Sequence, residues 1–319
     1  MPELVYDYDE FKGVSPSAAF FILMGLLVAG LIAGSLVGFL VWFGMTGQGI
    51  ATFEKDLLNP HFTNAARIMQ MVSVLIMFFI PALVTARLMT RKPLTYLGFR
   101  EGFNGRQLLL VIGITLVCLP LVGALAELNR IIPLTKPLEA YFKKLEDNYN
   151  TQVAVFATMH SAGEFIFSLV VMALFPAMFE ETLFRGGLQQ ILIAWFKKPL
   201  AAIIITSVIF SAVHFSYFGF LPRFVLGMVL GLIFYYSKSI WLNMVLHFLN
   251  NAFAICYYYF YTNGKPVSQT VDETAPLWMA LPAIIVLVLL FRYFWQVSLK
   301  RFINKIPPMD GPSFESTLV

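Results

Sequence analysis

Apolar stretches of about twenty residues recur along nearly the whole chain, and a bilayer-spanning helix needs roughly that length. They lie near 17–46, 68–86, 107–126, 165–190, 200–217, 221–237, 240–262 and 276–298. Between them come Thr46-Gly47-Gln48-Gly49, Asn59-Pro60, Lys92-Pro93, Lys136-Pro137, Lys198-Pro199 and Asn263-Gly264-Lys265-Pro266, where glycine and proline end helices. The expected fold class is therefore all-α, a polytopic membrane helical bundle of about eight transmembrane helices. Composition agrees. Only 13% of the 319 residues are charged, about half the share of a soluble domain. That excludes a soluble globular enzyme, a disordered chain and a disulfide scaffold. Cys118 and Cys256 each sit inside an apolar run and read as inert thiols. The first apolar stretch is too long for a signal-peptide core and reads as a retained helix.

The net charge is +4, but the basic residues are dispersed, so no nucleic-acid partner is expected. Their placement orients the chain instead. Arg87, Arg91, Lys92, Arg100 and Arg106 share one loop; Lys197, Lys198 and Lys238 lie in two others; Lys300, Arg301 and Lys305 lie in the tail. With eight crossings all of these fall on one side, the cytoplasmic side by the positive-inside rule. Both termini are then cytoplasmic, and an integral protein of a bacterial inner membrane is expected. Three regions follow: N-terminal transmembrane helices and a surface loop over 1–163, a motif-bearing core over 164–262, and a last helix with a tail over 263–319. Within the loop 127–163, Leu138, Tyr141, Phe142, Leu145 and Tyr149 recur at helical spacing. This predicts an amphipathic helix, either lying on the membrane or capping the bundle.

Polar residues at membrane depth are costly and default to function. Three clusters qualify. In the first, Glu180 and Glu181 follow an apolar run from Phe165 to Phe179, and Arg185 lies four residues beyond Glu181. Glu181 and Arg185 share a helix face and can pair. Glu180 is rotated by roughly 100° from Glu181 and has no local basic partner. A carboxylate left alone in apolar surroundings holds its proton more tightly, which suits a general base or acid near neutral pH. The second cluster is Phe210-Ser211-Ala212-Val213-His214. In the third, Asn243, His247 and Asn251 are spaced by four and form one polar stripe. A charged helix end, a core histidine and helix–helix hydrogen bonding are the plainer readings of the three. His61, and His160 with Glu164, read as structural.

Together the clusters supply the parts for water activation and oxyanion stabilisation. Glu180-Glu181-x-x-x-Arg185, Phe210-x-x-x-His214 and His247-x-x-x-Asn251 resemble the three ordered motifs of the CPBP family. These are the type II CAAX prenyl endopeptidases and their bacterial relatives, also called the Abi family. The resemblance covers roughly 165–255. It implies an intramembrane endopeptidase that hydrolyses a peptide bond of a membrane-associated substrate. In that reading Glu180 activates the water and His214 shares it, His247 and Asn251 polarise the scissile carbonyl and hold the oxyanion, and Glu181 and Arg185 brace the site. No cofactor is expected. Zinc is not favoured; a metal-dependent route would use Glu180, His214 and His247 as ligands. The partners implied are the bilayer and a membrane-protein or lipidated-peptide substrate. A non-proteolytic immunity, maturation or assembly factor that binds another membrane protein on the same scaffold stays open. One geometric condition attaches to the resemblance: the fourth helix must continue past Glu180 to about Trp195, or the glutamates and His214 would lie on opposite membrane faces.

Overall fold

The computed structural model describes residues 12–262 and 275–304, and among them every regular element is helical. Thr317-Leu318-Val319, which superficially resembles a carboxylate-capture ligand, lies outside the described residues. In chain order the longer helices are α1 (Pro16–Thr46), α2 (Pro60–Met89), α3 (Gly105–Arg130), α4 (Lys136–Phe156), α5 (Ala162–Phe196), α6 (Pro199–Ala212), α7 (Phe220–Ser237), α8 (Ile240–Tyr261) and α9 (Leu277–Ile303). Seven of these are long and apolar enough to cross a membrane.

The eighth expected span is different. α6 has only 14 residues, or about 21 Å, against a hydrocarbon core of about 30 Å. Its apolar run continues through Val213 and Phe215 in the sequence, but the helix stops first. Phe215 takes a left-handed conformation at φ 51°, and the chain turns back into α7.

α5 meets the condition set by the motif spacing. It runs 35 residues, so Glu180 lies at its middle. Thr182–Gln189 is wound as a π-helix, as is Leu169–Leu174. Such segments are rare and cluster at functional sites. Gly186 admits a neighbour: a Cβ there would lie 2.9 Å from the Leu97 carbonyl oxygen. Gln190 reinforces that contact by donating to the Tyr96 carbonyl.

Two apolar cores result. One joins α1, α2, α5 and α6, with Leu23, Ala82, Leu183 and Phe210 fully buried. The other joins α3, α7, α8 and α9, with Ile114, Leu230, Leu246 and Phe294 fully buried. Polar side chains of α5 stitch the seam between them. Arg185 donates to the Gly227 carbonyl at 3.3 Å and Gln189 to the Gly231 carbonyl at 3.0 Å, both on α7.

α4 caps the bundle, one of the two placements its pattern allowed. Phe142 stacks on Tyr217 with centroids 4.6 Å apart, and Ser216 donates to Glu146 at 2.9 Å. Its C-terminal end is held by Arg67 of α2, which is fully buried and donates to the carbonyls of Phe156 and Thr158. Leu138 and Tyr141 remain exposed. His61 is exposed in the 3-10 first turn of α2, and the His160 backbone N–H donates to Glu164 at 2.7 Å, so that pair serves a helix start.

Candidate active site

The middle of α5, an α-helical stretch over Phe175–Glu181 between the two π-wound segments, presents both glutamates to α8. Glu181 is fully buried and accepts from three groups. Arg185 Nη1 lies 2.9 Å and His247 Nδ1 2.8 Å from Oε1, while Asn243 Nδ2 lies 3.4 Å from Oε2. The i, i+4 spacing made the arginine pair legible; the histidine and asparagine come from a helix more than sixty residues away. Arg185 is itself fully buried, and its guanidinium lies over the Phe210 ring at 4.4 Å. Charge, cation–π contact and a carbonyl together satisfy much of this cation in an apolar setting.

Glu180 sits differently. Its side chain is 13% exposed, and Oε2 lies 3.9 Å from His247 Nε2, too far for a direct hydrogen bond. That oxygen has no hydrogen-bond partner. Glu180 also lines a cavity of about 210 Å³, walled by Gln70 and Met71 of α2, Tyr149 and Phe156 of α4, and Phe175 of α5.

His247 therefore stands between the two carboxylates. A carboxylate on one ring nitrogen fixes both the orientation of an imidazole and the tautomer it takes. With Nδ1–H on Glu181, Nε2 is the nitrogen turned to Glu180.

His214 and Asn251 stand outside this cluster. His214 lies in the turn after α6, where its Nδ1 is 2.7 Å from the Phe210 carbonyl oxygen. A carbonyl only accepts, so Nδ1 carries the hydrogen and Nε2 is the free nitrogen of the neutral ring. Phe210 touches both imidazoles edge-on, with centroids 5.2 Å from His214 and 6.0 Å from His247. Asn251 follows His247 by one turn on α8, and its Oδ1 accepts weakly from Asn250 at 3.5 Å. Of the four expected catalytic side chains, Glu180 lines the cavity described above and the others do not. Glu180, His214 and His247 are not drawn together as a ligand set. Among the described residues no group of three His, Cys, Asp or Glu is placed to hold a metal ion, so no step is routed through one.

Arg223, which the sequence reading missed, belongs to this neighbourhood. It lies in the first turn of α7, where the helix macrodipole opposes a cation. Nη2 contacts the Tyr149 hydroxyl at 3.2 Å, and Nη1 is buried without a partner. Its charge is felt at both Glu180 and His214. No motif or spacing in the sequence marked it; in the structure Gly219 makes room for it, since a Cβ on that glycine would lie 2.1 Å from Nη1.

Ser207 and Ser211, which precede His214 on α6, donate to the carbonyls of Ile203 and Phe220. They pack the helices. Cys118 and Cys256 are free thiols.

No curated protein and no solved structure matches the chain. Residues 162–253 match the family model described as Rce1-like, type II CAAX prenyl endopeptidase, so over the segment that holds all seven motif residues this integral membrane protein is shown to resemble the CAAX-type intramembrane proteases.

Proposed function

We propose that the chain is an intramembrane endopeptidase in which Glu180 activates the hydrolytic water. The observation that carries this reading is the position of His247, bonded to Glu181 through Nδ1 and turned towards Glu180 through Nε2. One carboxylate is used up in positioning a ring. The other is left with an unsatisfied oxygen beside that ring and beside a cavity.

In this mechanism Glu180 takes a proton from water as the oxygen attacks the scissile carbonyl, and later returns it to the leaving amine. His214 shares the water through its free Nε2. His247, as an imidazolium with Nδ1–H on Glu181, donates Nε2–H to the developing oxyanion. Asn251 donates its amide from the next turn of α8. Preorganised donors of this kind, shielded from bulk water, lower the barrier because they need no reorganisation during reaction. Glu181 and Arg185 hold the arrangement.

The substrate class proposed is a membrane protein or lipidated peptide, cut at or within the bilayer. The basic loop between α2 and α3 is taken as cytoplasmic. α6 with its following turn counts as an eighth pass, so both termini are cytoplasmic, and the membrane proposed is a bacterial inner membrane.

The test compares the membrane proteomes of cells that carry the wild type or Glu180→Gln. Fragments present with the wild type and absent with the variant support the proposal. Identical fragment patterns, with both proteins present at equal levels, overturn it.

A further inference from the structure

A second cavity, of about 460 Å³, lies where the first turn of α3 meets the last turns of α9. Its wall carries Arg106, Lys300 and Arg301, with Tyr293 and Val297 on the side nearer the membrane interior. On α9, Tyr293, Val297, Lys300 and Asn304 recur at helical spacing and so share one face. We propose that this cavity binds the phosphate-bearing headgroup of an anionic phospholipid.

Charge is the first support. Among the described residues, the one carboxylate paired with these three cations is Glu101, with Oε2 at 3.7 Å from Arg301 Nη2. Arg301 Nη1 is buried and has no hydrogen-bond partner. Arg106 is the second residue of α3, where the positive end of the macrodipole opposes it. An anion in the cavity relieves both defects at once.

Asn104, on the cavity wall, is already engaged. Asn104 and Gln107 form a reciprocal capping box, and Gln107 Nε2 donates to Ser298 Oγ at 2.9 Å. Among the described residues the cations on the cavity wall thus outnumber the carboxylates paired with them.

Depth is the second support. Both helices are long and apolar enough to cross a membrane, which puts their adjoining ends at headgroup level. Basic pockets between helices on the side rich in Lys and Arg attract acidic lipids. The cavity is roomier than one phosphate needs. Its apolar side leads along α9 from Val297 to the half-exposed ring of Tyr293, a residue type favoured at the interface. A free phosphate uses only the cationic end; a phospholipid uses both.

The experiment is native mass spectrometry, with thermal melting, of the full chain in neutral detergent. Phosphatidylglycerol, phosphatidylcholine or inorganic phosphate is added at equal concentration. Phosphatidylglycerol is expected to give a retained one-lipid adduct and a raised Tm, with little effect from the other two. Arg106→Gln with Lys300→Gln, which leaves the Arg301–Glu101 pair in place, is expected to weaken the adduct about thirtyfold. Equal retention of phosphatidylcholine overturns the proposal, as does an unchanged adduct in the double variant. Inorganic phosphate that stabilises as strongly as the lipid assigns the cavity to a soluble anion and overturns the lipid. Glu180→Gln is expected to bind phosphatidylglycerol like the wild type, so the result does not depend on proteolysis.

Discussion

His247 lies between Glu180 and Glu181, with Nδ1 2.8 Å from Glu181 Oε1 and Nε2 3.9 Å from Glu180 Oε2. Two neighbours in sequence thereby acquire unlike roles. Glu181 has three donors and no exposure; Glu180 has a free oxygen and a cavity beside it.

Glu180→Gln is expected to abolish proteolysis, a loss of at least about 10²-fold for a missing general base. The melting temperature should stay near that of the wild type, because no hydrogen bond to the Glu180 carboxylate is broken. Turnover of a cleaved membrane substrate and thermal melting of the purified protein measure the two effects. Full activity in the variant removes the mechanism.

Glu181→Gln should behave in the opposite way. It strands a buried arginine and leaves the His247 ring with a weaker acceptor. Removing one partner of a buried ion pair costs about 3–5 kcal/mol, so a lower Tm and a lower yield are expected along with reduced activity. Arg185→Lys is not a rescue of the partner, because an ammonium cannot reach Glu181 and the Gly227 carbonyl while lying flat on Phe210. A Tm equal to the wild type in Glu181→Gln contradicts the bracing role.

The parts of this site visible in the sequence are those set by one helix. Glu181 and Arg185 are four apart, and their pairing needs only helical periodicity. Asn243 and His247 share a stripe for the same reason. What joins them to Glu181 is packing between α5 and α8, which no spacing encodes. The length of α6 was hidden because Val213 and Phe215 continue the apolar run past the turn. Asn251 extends the stripe by one more turn, but the stripe alone could not tell which of its members meets Glu181.

Gly186→Ala tests the close approach that positions α5. A Cβ there would lie 2.9 Å from a backbone oxygen and 3.2 Å from the Leu97 side chain, and backbone cannot move aside as a flexible side chain can. Overpacking of this kind costs about 1–3 kcal/mol. Thermal melting in detergent should show the loss. An unchanged Tm would mean that the loop at Leu97 yields without cost.

Arg67→Met should loosen the end of α4 that roofs the Glu180 cavity. The guanidinium of Arg67 is the donor to the Phe156 and Thr158 carbonyls, and an unanchored helix end frays. Hydrogen exchange is expected to accelerate over residues 150–158, with α8 unaffected. Uniform acceleration across the chain would indicate general destabilisation instead.

Arg223 carries the last prediction. Its charge reaches Glu180 and His214, and its one direct contact among side chains of α4 is the hydroxyl and ring of Tyr149. Removing it takes away one of the positive charges near the adjacent glutamates, leaving Arg185 and the His247 imidazolium. At an effective dielectric near 20, a charge a few ångströms beyond contact is worth about 1–2 kcal/mol, or about tenfold in rate. Arg223→Gln is therefore expected to lower turnover by about that factor, and Arg223→Lys to recover part of it. Equal losses in both variants would assign the effect to the Tyr149 contact and the seating of α4 rather than to charge. No loss in either would place Arg223 outside the working site.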